Sequence, residues 1–230
     1  MDVDRIGPAS ALAKELKGAA GLFKVGSQLF TSEGPQAVKA LAGHGFGIFL
    51  DLKFHDIPNT VTGAVSAAAK LPKIRLMTLH TSGGLAMMQA AREALAGMKK
   101  RPALLGVTIL TSLDKTALQS VGISGTPGSR AVGLARLAQQ AGLDGVVASA
   151  QEARAIRRAC GPEFLIVVPG IRPASGAVND QSRVATPFEA IRAGANYLVV
   201  GRPITGADNP REAALAVADE IARAGNRPAD

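Results

Sequence analysis

Asp51, Lys53 and Asp56 stand within six residues of one another in FLDLKFHDIPNT (49–60), where an apolar run stops. An ammonium beside two carboxylates is a fixed positive charge with a proton to give, which suits both general-acid chemistry and stabilisation of a developing carbanion. Side chains alternate faces along extended backbone, so Asp51 and Lys53, two apart, are expected to enter one pocket. Asp56 lies past the strand end. Pro58 restricts Ile57 to extended geometry and Asn59 or Thr60 can cap the next helix, which leaves Asp56 to face elsewhere, a neighbouring subunit included. Other polar residues follow apolar runs in the same manner: Lys24 in FKVG, His80 in MTLH, Thr111 and Ser112 in VTILTS, Arg172 after VVPGI and Arg202 after LVVG. Each also has a plainer reading. An acid and a lysine two apart often form a surface ion pair worth little, and a lone lysine can simply reach solvent. His80 has no second histidine at ligand spacing and reads as a hydrogen-bonded wall residue. GHGFG (43–47) precedes a strand instead of following one, so it lacks the setting of a dinucleotide loop.

These residues need elements to hold them. Short aliphatic runs recur at 22–26, 47–51, 74–80, 103–110, 144–149, 164–170 and 196–201. Between them lie alanine-rich stretches with helical spacing, such as GPQAVKALAGHG, TVTGAVSAAAKL and GSRAVGLARLAQQAG, several closed by glycine as a helix C-terminus would be. Strand alternating with helix requires a parallel sheet with helices outside, and strands that are apolar throughout suit a sheet covered on both faces. Seven clear strands and an eighth at the extreme amino terminus favour an α/β fold of the (β/α)8 barrel type over an open doubly wound sheet. No low-complexity linker divides the chain, so residues 1–230 are expected to form one domain. In such a barrel the chemistry belongs at the carboxyl ends of the strands, which is where the polar residues cluster.

Composition narrows the functional classes. With 230 residues, of which 47% are apolar, the chain can bury a full core. A single cysteine, Cys160, rules out an intrachain disulfide and a CxxC pair, and fits a reducing cytoplasm. The amino terminus builds no signal-peptide apolar run and no stretch reaches 18 apolar residues, so no membrane association is expected. The net charge of +8 could attract nucleic acid. However, Lys and Arg are spread over helical faces and do not alternate with aromatic residues, so a solvated basic surface without nucleic-acid binding is expected.

FKVGSQLFTSEGP (23–35), FLDLKFHDIPNTV (49–61), VTILTS (107–112), VPGIRP with DQSRVATP (168–173 and 180–187) and VVGRPIT (199–205) together resemble the orotidine 5′-phosphate decarboxylase family, in the family's order and over nearly the whole chain. DxKxxDIPNT is the most specific of these. The resemblance implies loss of carbon dioxide from carbon 6 of orotidine 5′-phosphate to give uridine 5′-phosphate, the last step of de novo pyrimidine synthesis, with no metal or organic cofactor. It implies Lys53 as proton donor, Lys24 and Asp51 as its charged partners, and Asp56, with Ile57 and Thr60, reaching across a homodimer interface. It further implies Asp2 on the ribose, Thr111 on the pyrimidine, Gly201 and Arg202 on the phosphate, and a lid running from Arg172 to Gln181.

In one respect the chain departs from the family. Family members begin with an apolar strand leading into a leucine-aspartate-valine triplet, whereas here Met1 of MDVDR stands where that strand would end. The first strand is therefore expected to be shortened: either the natural start lies upstream, or the barrel tolerates a stub. The placing of Asp2 depends on which holds. Two other functions are weighed. A sugar-phosphate decarboxylase or aldolase of the same suprafamily shares the DxKxxD core but uses magnesium and lacks the IPNT continuation. A catalytically silent basic barrel would have no need of an intact Lys24, Asp51, Lys53 and Asp56.

Overall fold

The computed structural model describes residues 3–173 and 185–225. Its strands are β1 (Leu22–Gly26), β2 (Gly47–Phe54), β3 (Ile74–His80), β4 (Ala103–Val107), β5 (Gly145–Val147), β6 (Leu165–Val168) and β7 (Tyr197–Leu198). Helices α1 (Ile6–Glu15), α2 (Ser27–Glu33), α3 (Pro35–Gly43), α4 (Pro58–Ala69) and α5 (Gly84–Glu93) accompany the first half of the sheet. Around the second half lie α6 (Lys115–Ser120), α7 (Pro127–Gln140), α8 (Ala150–Cys160), α9 (Pro187–Arg192), α10 (Arg202–Thr205) and α11 (Pro210–Gly225). Helix starts follow local chemistry. Capping boxes Thr126/Ser129, Ser149/Glu152 and Thr186/Glu189 open α7, α8 and α9, and proline occupies the first turn of α3, α4, α7 and α9.

The seven strands are parallel and paired in chain order. Laid flat at the usual spacing, β1 and β7 would stand about 29 Å apart. Instead Leu22 of β1, Phe49 of β2, Leu76 of β3, Val107 of β4, Val147 of β5, Val167 of β6 and Leu198 of β7 all line one cavity, so the sheet is curled as a (β/α)8 barrel. Alternation along each strand divides the core in two. Phe49, Leu76, Leu105 and Val167 pack inside the curl. Their neighbours Ile48, Leu50, Met77, Leu104, Ile166 and Val168 pack outside against the helices. Strands covered on both faces are continuous apolar runs for this reason. Close approach is needed between β5 and β6: a Cβ on Gly145 would collide with the Leu165 carbonyl.

Where the elements differ from expectation, the difference has a local cause. β4 stops at Val107, and Thr108 after it places both its amide (3.1 Å) and its hydroxyl (3.0 Å) on the Val147 carbonyl. β7 is a two-residue strand paired on one side only, to β6. The shortened first strand contributes no paired residue among those described: Asp2 lies outside them, and Val3–Arg5 lead directly into α1. Among the described residues no strand bridges β7 back to β1, and those strands leave a seam between them. Gln28 and Ser32 of α2 hydrogen-bond Asp4, which sets the chain's entry beside the carboxyl end of β1.

The amino-terminal rim of the curl is held by charge-assisted bonds. Arg101 grips Asp144 with two bonds of 2.6 and 2.7 Å, and the same carboxylate accepts the Leu104 amide at 2.8 Å, fixing β4 to the entry of β5. Arg157 on α8 donates to the carbonyls of Gly161, Pro162, Phe164 and Gly194 and to Asn196 Oδ1, all at 2.6–2.8 Å. Among the described residues no helix is long and apolar enough to cross a membrane.

Candidate active site

Lys24 and Asp51 sit on neighbouring strands, each two residues beyond an inward apolar residue, Leu22 and Phe49, so the pleat turns both into the curl. Asp51 is the hub. Its Oδ2 meets Lys53 Nζ at 2.9 Å and Lys24 Nζ at 3.4 Å, while its Oδ1 accepts a 2.9 Å hydrogen bond from the Thr78 hydroxyl. Burial by itself pushes the Asp51 carboxyl upward; the charges of Lys24 and Lys53 and the bonds from Lys53 and Thr78 outweigh it and hold the group below the usual aspartate value. The Asp51 side chain is only 11% exposed, so these partners act on a charge with little water about it.

Asp51 and Lys53 do meet, as strand alternation implies, but by a less regular route. Leu50 pairs with Met77 and Phe54 with Leu79, so four residue steps on β2 oppose two on β3. The excess bulges out, and Lys53 takes a left-handed backbone with φ of 52°. Its amide leaves the ladder and donates to Thr78 Oγ1 at 2.9 Å. Thr78, fully buried, escapes sequence reasoning because a threonine inside IRLMTLH reads as an ordinary strand former.

A cavity of about 550 Å³ opens over this array. Lys24, Asp51 and Lys53 lie on its wall, together with Thr111, Arg172, Gly201 and Arg202, so seven of the residues singled out in the sequence converge there from five separate parts of the chain. Leu76, Ile109, Phe49 and Val167 supply an apolar lining, and Gly201 with Arg202 stands at the start of α10. Arg172 is buried and donates to the Ile171 carbonyl at 2.9 Å. Gln181 and residues 174–184, which would carry the expected lid, lie outside the described residues, as does Asp2.

Asp56 goes elsewhere. It is exposed and accepts the Ile57 amide at 2.6 Å, and with His55 and Thr60 it borders a second surface hollow beside α4, which Lys53 also lines. Ile57 next to it is 65% exposed, a large apolar side chain left in water. His80 ends β3, its ring 5.3 Å from that of His55. Burial, then the His55 and Lys53 charges, push it below the usual histidine range against the pull of Asp51.

A buried carboxylate between two ammonium groups at the base of a half-apolar cavity, with arginines on the cavity wall, can receive an anionic substrate and steady negative charge that appears on it. Known proteins agree in pattern. A relative from Nitrosococcus oceani named orotidine 5′-phosphate decarboxylase is 54% identical over 213 residues, which is 93% of this chain and 91% of the relative. One of the same name from Trichlorobacter lovleyi is 50% identical over 96% of this chain and 92% of its own. The crystal structure of orotidine 5′-phosphate decarboxylase from Lactobacillus acidophilus superposes with a TM-score of 0.83 at 37% identity, covering 96% of each chain. Residues 1–217 match the family model described as orotidine 5′-phosphate decarboxylase / HUMPS, and the chain belongs to that family.

Proposed function

We propose that this chain is an orotidine 5′-phosphate decarboxylase, forming uridine 5′-phosphate in pyrimidine synthesis. The observation that carries the reading is the Lys24–Asp51–Lys53 array placed under a cavity whose wall also holds Arg172 and Arg202. In the reaction the bond from carbon 6 to the carboxylate breaks, carbon dioxide leaves, and the electron pair stays on carbon 6 until it takes a proton. Lys53 is the donor. Its ammonium lies against the developing pair, and Asp51 and Lys24 keep it from wandering, so little reorganisation is needed as charge forms. Asp51 also stands beside the substrate carboxylate, a repulsion that is relieved as carbon dioxide departs. Thr111 contacts the pyrimidine, and Gly201 and Arg202 hold the phosphate at the loop after the last strand, where barrels commonly bind it. Arg172 and Gln181 close over it, and Asp2 meets the ribose.

The site is completed by a second copy. Asp56, exposed and absent from the wall of its own chain's cavity, is donated with Ile57 and Thr60 to the partner's cavity, and the uncovered Ile57 is the apolar part of that interface. The test follows the fall in orotidine 5′-phosphate absorbance with and without a chelator. Turnover indifferent to the chelator is expected. No turnover, or turnover only of a sugar phosphate with magnesium, would overturn the reading.

A further inference from the structure

Thr78 touches neither the cavity nor solvent, yet it bonds to both halves of the charged array. A hydroxyl offers one donor and two acceptor sites. Here the donor goes to Asp51 Oδ1 and one acceptor site takes the Lys53 amide, both at 2.9 Å. The first bond fixes which way the carboxylate faces: with Oδ1 committed, Oδ2 is the oxygen presented to Lys53 and Lys24. The second holds a backbone amide that the bulge has removed from the β2–β3 ladder, at a residue whose φ of 52° is uncommon for lysine. Non-glycine residues keep such backbone only where the surroundings over-determine it. The hydroxyl thus spans the two positions whose mutual geometry decides where the ammonium points.

We propose that Thr78 is a positioning residue for decarboxylation: its single hydroxyl sets the orientation of the Asp51 carboxylate and the left-handed backbone of Lys53 together. This rests on the decarboxylase reading given above. Because Thr78 acts through Asp51 and Lys53 and not on the phosphate or ribose, its loss should be felt in kcat and little in KM.

The test compares Thr78→Val, which keeps the shape without the hydroxyl, with Thr78→Ser, which keeps the hydroxyl without the methyl. Thr78→Val is expected to lower kcat about 10- to 100-fold, the range for removing an outer-shell partner of a functional group, with KM changed less than about threefold. Its acid limb of kcat should move to higher pH, because Asp51 loses a bond that favours its charged form. Thr78→Ser should keep most of kcat while melting at a lower temperature, having lost a buried methyl. If the valine variant does not fold, Thr78→Ala against Thr78→Ser isolates the hydroxyl, since both lack the methyl and only serine keeps the oxygen. Wild-type kcat in a folded variant without the hydroxyl, or a serine variant as impaired as valine, would overturn the proposal. So would folding only when the hydroxyl is present, which would assign Thr78 to stability. Wild-type protein inactive on orotidine 5′-phosphate would instead overturn the functional reading itself.

Discussion

Lys53 delivers its charge from a bulged, left-handed position, so the ammonium is aimed by backbone geometry as well as by Asp51. Replacing it with alanine leaves Asp51 its Lys24 and Thr78 partners, and the fold should survive. The rate of decarboxylation in Lys53→Ala should fall by at least about 3 kcal/mol of barrier, the size of a removed electrostatic stabiliser; a folded variant near the wild-type rate would take Lys53 out of the chemistry. Acid should lower the stability of the protein in two steps. His80 is held below its usual value, so below about pH 6.5 the unfolded chain takes up a proton that the folded chain resists, and stability declines. Asp51 is also held low, so its contribution is complete above about pH 4 and is lost as the pH falls through its lower folded value. Thermal melts across this range should show both steps, and His80→Gln should remove the first. Lys24, Asp51 and Lys53 were legible because charged residues ending apolar strands are conspicuous. Thr78 was not, because its importance arises from a register shift that DLKF, which reads as regular alternation, does not announce.

Among the elements, most strands and several of the larger helices followed from alternation and caps, since buried parallel strands and alanine-rich amphipathic helices leave strong local patterns. Their ends did not, because ends are settled by neighbours: Thr108 commits both its amide and its hydroxyl to one carbonyl of β5, and β7 has a partner on one side only among the described strands. Arg157 is the clearest case of a residue whose role depends on what folds around it. In QEARAIRRAC it is one basic residue among several, yet in the fold its guanidinium satisfies four carbonyls and the Asn196 side chain at the entries of β6 and β7. Asn196 in turn accepts the Ile166 amide at 2.9 Å. Arg157→Ala should therefore cost about 2 kcal/mol of stability, as hydrogen bonds to a charged group are lost from a half-buried site. Equilibrium denaturation would measure it, and kcat of the folded fraction should stay close to wild type, since these contacts lie at the strand entries, away from the Lys24–Asp51–Lys53 array.

On the scale of the whole molecule, the proposal that Asp56 serves the partner's cavity has a direct test. Lys53→Ala and Asp56→Asn, each inactive alone, should restore activity when their subunits are mixed and allowed to exchange. Equal mixing makes half the dimers hybrids with one intact site each, so recovery should approach about a quarter of wild-type sites. Exchange demonstrated without recovered activity would place Asp56 outside the partner's cavity. The net charge of +8 suits a cavity that must gather a phosphorylated, carboxylated nucleotide, because a cationic molecule draws such anions toward its surface from a distance. The seam between β1 and β7 carries a further consequence, for the order in which the molecule opens. A complete ring of strands has no end from which to unzip, whereas the described strands have two, on either side of the slot. In deuterium oxide the amides of β7 and β1 should exchange first and those of β3 and β4, flanked on both sides, last. Because Lys24 lies on β1, at one lip of the slot, and Arg202 just beyond β7, at the other, each such opening would part the lysine end of the cavity from its phosphate end before the core is disturbed.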